Sequence, residues 1–245
     1  MRVALISDVH GNRVALDTVL EDLRRDPVDE VVSLGDAAQG GPQPAEVLDA
    51  LRELGGRTVM GNSDNFLLEL ETWQEGPEPI TPELLDVREW TLSRLSNDHL
   101  DFIRSFEPTV QLELGGAGTL LCYHGSPASF DDVILPDTPT DEFERMAGGR
   151  RAPLMAGGHV HLQFVRRHGD SLHLNPGSVG LAYDHDQPED AISFDPWAQY
   201  AVVSAEDGRL GIDFRRIPFD PAGVVAAIEA GGRPHGERLA AQWRA

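Results

Sequence analysis

A single cysteine, Cys122, in a chain of 245 residues excludes an internal disulfide and any thiolate cluster able to hold zinc. It lies in the apolar run TLLCYHG (residues 119–125), which suits a small buried hydrophobe better than a nucleophile. Long hydrophobic runs are also missing. The N-terminal stretch Val3–Ile6 is too short for the core of a secretion signal, and no run approaches the ~18 apolar residues of a membrane span. A cytoplasmic protein is expected. Cations are scarce: 20 Lys and Arg stand against 41 Asp and Glu, a formal net charge of −21. Such a surface repels a phosphate backbone at long range, so non-specific nucleic-acid binding is not expected. A small phosphorylated substrate is compatible with it, provided that a local positive centre such as a bound metal ion overrides the global field. Most of the carboxylates serve solubility.

What is present suits one well-packed domain over residues 1–245, with 40% apolar residues, 25 glycines and 17 prolines. Arg2–Ser7 reads as a strand, and RVALDTVLEDLRR (residues 13–25) as an amphipathic helix. EVVSLGD (residues 30–36) reads as a second buried strand, QPAEVLDALREL (residues 43–54) as a second helix with Pro44 in its first turn, and RTVMGN (residues 57–62) as a third strand. This alternation implies parallel pairing with right-handed crossovers. Residues of about 63–107 read as a helical insertion, NFLLELETW and PELLDVREWTLSRL, in which Trp73 and Trp90 belong to the core. Short strand-like runs follow, then a hairpin turning at Asp207-Gly208, a helix at PAGVVAAIEA (residues 221–230), and a tail expected to fray after Gly231.

Several of the strand-like runs end in a polar residue able to bind a metal. VALIS ends at Asp8-Val9-His10, VVSLG at Asp36, TVMG at Asn62, TLLCY at His124 and LMAGG at His159-Val160-His161. In α/β folds, ligand sites gather at the carboxyl ends of strands. The glycine in each of these five segments (Gly11, Gly35, Gly61, Gly125 and Gly158) permits sharp turns and close approach. Residues two apart in an extended chain face the same side, so Asp8 and His10 can address one centre; His159 and His161 can do likewise, or each serve a neighbouring ion. Carboxylate, imidazole and amide donors suit Mn, Fe, Zn or Ni rather than Ca. Seven candidates exceed the needs of one catalytic ion and fit two divalent ions sharing a bridging carboxylate, for which Asp36 is the choice.

Together, DVH, GD, GN, YHG and GHVH resemble the motifs of the calcineurin-like metallophosphoesterase superfamily; HGN, GGPQP, GNSD and NPGS are similar to those of its small single-domain bacterial and archaeal members. The resemblance runs from Asp8 to Ser178. It implies a four-layer α/β/β/α sandwich of two mixed sheets flanked by helices, with two metals between the sheets. Asp8, His10, Asp36 and His161 would hold one metal, and Asp36, Asn62, His124 and His159 the other. Many superfamily phosphatases carry a histidine directly after the motif asparagine; here that position is Ser63, which leaves the general acid open.

The expected activity is phosphoester hydrolysis by attack of metal-activated hydroxide on phosphorus, with Mn as the first choice of metal. Asp36, Asn62 and His124 are the catalytic candidates, and Asn12, Asp64 and Tyr183 the candidate substrate contacts; Asn12 suits a turn-stabilising role equally well. His185 could line the pocket, whereas His99, His168, His173 and His235 lack matching partners and read as satisfied or exposed histidines. Phosphodiesters are favoured over monoesters or nucleotide pyrophosphates. The alternative from another class is a metal-binding scaffold or nucleotide sensor without turnover.

Overall fold

The computed structural model describes residues 1–70, 80–188 and 191–244. Two five-stranded sheets face one another. The first has the order β10-β9-β1-β2-β3, from β1 (Arg2–Ile6), β2 (Glu30–Ser33), β3 (Arg57–Thr58), β9 (Trp197–Glu206) and β10 (Arg209–Pro218). The second has the order β4-β5-β6-β8-β7, from β4 (Val110–Glu113), β5 (Thr119–Cys122), β6 (Leu154–Ala156), β7 (Gln163–His168) and β8 (Ser171–Pro176). In the first sheet the parallel trio β1–β2–β3 runs to one edge and the antiparallel strands β9 and β10 complete the other; in the second, the parallel trio β5–β6–β8 is flanked on both sides by antiparallel strands, so both sheets are mixed.

Strand periodicity explains the layers. Along β1, Val3 and Leu5 point to the second sheet, where they meet Leu120, Cys122, Leu154 and Leu174; Ala4 and Ile6 point the other way. On that outer face lie α1 (Arg13–Arg25) and α2 (Pro44–Leu54), whose buried stripes Leu16, Val19, Leu20 and Val47, Leu48, Leu51 follow the helical period. On the far face of the second sheet, α6 (Thr140–Ala147) packs Phe143 and Met146 against Leu121, Tyr123 and Met155. The result is the α/β/β/α sandwich. Cys122 sits fully buried between the sheets, and burial pushes its thiol well above its ordinary pKa. No helix among the described residues is long and apolar enough to cross a membrane.

Differences from the sequence reading concentrate in short segments. The third strand is only Arg57–Thr58, because Asn62 already opens α3 (Asn62–Leu68). The region of the expected insertion also holds α4 (Pro82–Arg94), capped by Thr81, and α5 (Asn97–Arg104), where Ser96 and His99 form a reciprocal cap that the apolar pattern did not reveal. Trp90 is half-buried under the Arg94 guanidinium, whereas Trp73 lies outside the described residues. The hairpin turns where Asp207 and Gly208 both take positive φ, as a type I′ turn requires. After α7 (Pro221–Gly231) the tail does not fray. It forms α8 (Gly236–Gln242), and Leu239, Ala240 and Trp243 bury against Val224 and Ile228.

Candidate metal centre

The loops that leave β1, β2, β5 and β6, with the N-terminus of α3, converge at one edge of the sandwich. Seven described non-glycine residues adopt left-handed φ, and five of them are Asp8, His10, Asp36, His159 and His161. Left-handed backbone costs a non-glycine residue of order 1–3 kcal/mol and persists where surrounding structure enforces it, often at functional sites. Here it turns the side chains of successive loop residues inward.

Two clusters result: Asp8, His10 and His161 in one, Asp36, His124 and His159 in the other, the offered ligand atoms of each lying within 4.8 Å of one another. The His161 Nε2 is 3.3 Å from Asp8 Oδ1 and 3.1 Å from His10 Nε2. His124 Nε2 is 3.0 Å from Asn62 Oδ1. Asp36 stands between the clusters, with Oδ2 3.6 Å from His10 Nε2 and Oδ1 3.5 Å from His124 Nε2.

Three of the rings are aimed by backbone carbonyls. Nδ1 of His10, His124 and His161 lies 2.8, 2.7 and 2.9 Å from the carbonyls of Gln39, Leu34 and Leu181. With Nδ1–H donating there, each Nε2 points to the centre, where its lone pair becomes available once the Nε2 proton is lost, the arrangement that fixes orientation in metal-binding histidines. Asp36 is held by the backbone N–H and the hydroxyl of Ser63, at 2.9 and 2.8 Å. Asp8 Oδ2 accepts from the Ser7 hydroxyl and from the His159 N–H, while its Oδ1 is buried with no hydrogen-bond partner among the described residues. An ionised oxygen left bare beside two imidazole Nε2 atoms is poorly explained by protein contacts and well explained as a cation ligand. The residues present therefore fit a divalent metal.

Electrostatics agree with this donor set. Burial opposes charge on His124, yet the Asp36 and Asp8 carboxylates outweigh it and push the imidazole up to about 10. Burial likewise raises the cost of ionising Asp8, but His161 and His124 bring its carboxyl down to about 2. Two concentrated carboxylates thus recruit positive charge. His159, by contrast, is pushed down to about 4 by burial and by the neighbouring His124, which keeps its ring neutral.

The other expected site residues separate. Asn12 is buried and spends both ends of its amide on structure: its oxygen caps α1 at Ala15 N–H, and its nitrogen donates to the Gly180 carbonyl. The turn-stabilising alternative describes it, not substrate contact. Asp64, also expected to meet substrate, is fully buried and accepts the backbone N–H groups of Asp36, Ala37 and Gly61 at 2.8, 3.0 and 3.2 Å. It positions the Asp36 loop instead. Tyr183 is half-buried, edge-on to His161 and stacked on His185 at 4.3 Å between ring centroids. His99, His168, His173 and His235 are engaged away from the centre, with Asp49, Glu144, Tyr123 and Asp86. Gly61 and Gly158 are required by close approach: a Cβ at Gly61 would fall 2.1 Å from Asp36 Oδ1, and one at Gly158 2.1 Å from the Ser7 hydroxyl.

A cleft of about 400 Å³ opens beside the centre, walled by His10 and Ser63 on one side and by Arg233 and Arg238 on the other. Those arginines went unremarked in the sequence because they belong to the tail, where no motif marks them.

Fold and site define a class: four-layer α/β/β/α proteins that gather Asp, His and Asn from strand ends into a candidate divalent-metal centre. The chain belongs to the calcineurin-like phosphoesterase superfamily, whose domain matches residues 1–195. It is 27% identical to an uncharacterized protein of Methanocaldococcus jannaschii over 97% of this chain and 96% of that one. It is 30% identical to a symmetrical bis(5'-nucleosyl)-tetraphosphatase of Thioalkalivibrio sulfidiphilus, over 60% of this chain and 58% of that enzyme. Among solved structures, a metallophosphoesterase from Sphaerobacter thermophilus superposes with a TM-score of 0.78 at 26% identity, covering 100% of this chain and 98% of that one.

Proposed function

We propose that the protein hydrolyses phosphoesters with two divalent metal ions, Mn by first choice and Fe, Zn or Ni as alternatives, and that its substrates are small phosphodiesters. The observation that carries this reading is Asp36, whose two carboxylate oxygens lie toward different ligand clusters. Asp8, His10, Asp36 and His161 would hold one ion, and Asp36, Asn62, His124 and His159 the other. When bound, such a pair neutralises charge on phosphoryl oxygens and lowers the pKa of water.

The chain's own residues set the geometry and the charge. The Ser63 N–H and hydroxyl hold both Asp36 oxygens, so the shared carboxylate cannot rotate out of the centre. The carbonyls of Gln39, Leu34 and Leu181 keep the three Nε2 atoms inward. Asn62 contributes a neutral oxygen, which keeps the ligand charge low enough for a phosphate anion to approach. The Ser63 hydroxyl is committed to Asp36 and takes no part in leaving-group chemistry. Tyr183 offers a ring face or edge to the substrate beside His161.

Two features favour diesters over monoesters. A net charge of −21 penalises approach of a dianionic monoester more than of a monoanionic diester. The cleft beside His10 and Ser63 gives space for a second substituent on phosphorus. A second reading, nucleotide pyrophosphatase activity, draws on the similarity to bis(5'-nucleosyl)-tetraphosphatase.

The test is metal content together with turnover of bis-p-nitrophenyl phosphate and p-nitrophenyl phosphate by the wild type and Asp36→Ala, with added Mn. About two metals per chain, and diester turnover lost in the variant, are expected. Monoester turnover alone would make it a phosphatase. Metal binding without turnover of any phosphoester would leave a scaffold or sensor.

A further inference from the structure

The cleft beside the metal centre is cationic in a molecule that is otherwise strongly anionic. All 20 cationic side chains are arginines, facing 41 carboxylates, and among the described residues ten of them form ion pairs with Asp or Glu. Arg233 and Arg238 do not. Among the described residues neither has a carboxylate partner, yet both face the same cleft as His10 and Ser63.

Arg233 is fixed in place. Its Nε donates to the Gly40 carbonyl at 2.6 Å and Nη1 to the Pro234 carbonyl at 2.7 Å, while Nη2 has no partner among the described residues. Gly40 follows Gln39, whose carbonyl orients the His10 ring, so the guanidinium is tied to the loop that aims a candidate ligand. Burial pushes this guanidinium down to about 10, and it keeps its charge at neutral pH. Arg238, one turn into α8, is exposed and makes no hydrogen bond or ion pair with any described residue. Gln39 also lines the cleft; it is 4% exposed, and neither end of its amide has a partner among the described residues. A half-buried cation without a counter-charge and a buried amide without a partner are each costly in an isolated protein. An anion in the cleft relieves the first and gives the second a polar neighbour. Guanidinium is the group suited to phosphate, through paired N–H donors. Two carboxylates oppose this: Glu83 lines the cleft and Asp86 pairs with His235 beside it, both exposed to solvent, which screens them.

We propose that this cleft is a second anion subsite, in which Arg233 and Arg238 hold a phosphate-class group of the substrate other than the one being hydrolysed. The proposal rests on the phosphoesterase reading and narrows it to phosphoesters that carry a second phosphate. The subsite comes from the segment after residue 195, beyond the part of the chain that matches the superfamily domain. The shared metal centre thus supplies the chemistry, and the C-terminal helices select the substrate.

Binding, read by isothermal titration calorimetry on the full-length Mn-loaded protein, separates this proposal from the activity. The probes are methylphosphonate and a series of α,ω-alkylene diphosphonates with two to six methylenes. The wild type is expected to bind at least one diphosphonate about tenfold or more tightly than methylphosphonate, the gain from one charge-assisted contact. Arg238→Ala, at an exposed position, is expected to lower that preference about tenfold, and Arg233→Lys to lower it too, because an ammonium cannot reproduce the fork. Arg209→Ala removes the same charge at the far end of β10 and should leave the preference in place. Should Arg233→Lys fail to fold, Arg238→Ala alone decides. Equal binding of mono- and diphosphonates by the wild type, or an unchanged preference in Arg238→Ala, overturns the subsite. A folded, metal-loaded protein that shows the preference but hydrolyses no phosphoester refutes the activity and leaves the subsite standing.

Discussion

Asp64 offers the sharpest test of how the centre is held, because its side chain lies outside both ligand clusters and yet accepts three backbone N–H groups from two segments. In Asp64→Ala the N–H groups of Asp36, Ala37 and Gly61 lose their acceptor while remaining inside the protein. Each hydrogen bond to a charged group contributes about 1.5–3 kcal/mol. The space vacated by the carboxylate admits about one water, which can accept two of the three donors. The deletion also removes the cost of burying this acid, whose carboxyl is pushed up to about 7 by burial and by the Asp36 carboxylate. The net destabilisation is then about 2–4 kcal/mol, near 4–16 °C in Tm for a chain of this size. Urea unfolding of the wild type and variant should be compared in chelator at pH 7, so that no metal contributes. Metal affinity, measured separately, should fall about 10–100-fold, as for outer residues that orient ligands. An unchanged urea midpoint together with unchanged metal affinity would refute the view that Asp64 braces the Asp36 loop.

Other outcomes follow from the same contacts. Gly61→Ala places a methyl 2.1 Å from Asp36 Oδ1, so metal content should collapse while circular dichroism remains native; normal metal loading would show that the loop can yield. His173 is buried beside Tyr123 and held neutral, its pKa pushed down to about 3 by burial and then by Arg166. Since the unfolded chain binds this proton near pH 6.5, the stability it supports is present above that pH and is lost as pH falls toward 3. His173→Gln should gain about 3 kcal/mol on the wild type between pH 7 and pH 4 in urea unfolding, and parallel pH profiles would contradict the assignment. Arg215 bridges α1 and β10 through Asp22, Asp26 and Asp213. Arg215→Met should cost about 1–2 kcal/mol at low salt and less in 0.5 M NaCl, and a loss insensitive to salt would point to packing instead.

How much of this was legible varies by residue. Asp8, His10, Asp36, Asn62, His124, His159 and His161 could be picked out together because each of the five segments that carry them follows an apolar run and includes a glycine, a local pattern with a local cause. Asn12 and Asp64 lie inside the same motifs, yet their side chains point into backbone. Sequence adjacency to a ligand does not separate a group facing the cleft from one facing the loop behind it. The short helices α5, α6 and α8 escaped notice because a helix of seven or eight residues spans about two turns, too few for a periodic pattern to stand out from its surroundings.

Sequence alone thus determined the alternation of strands and helices and the candidate donors at the strand ends, since these depend on residue type and near-neighbour spacing; the sandwich was implied only by the resemblance of the motifs to a known superfamily. Tertiary structure alone decided which donors face one another, that Asp36 lies between the two clusters, and that Asp64 braces rather than binds. It also brought Arg233, 193 residues away in sequence, to the carbonyl of Gly40 beside His10. The physical reason is that left-handed backbone, buried hydrogen bonds and an unpaired cation at a cleft are properties of how distant segments pack, and no local pattern encodes them.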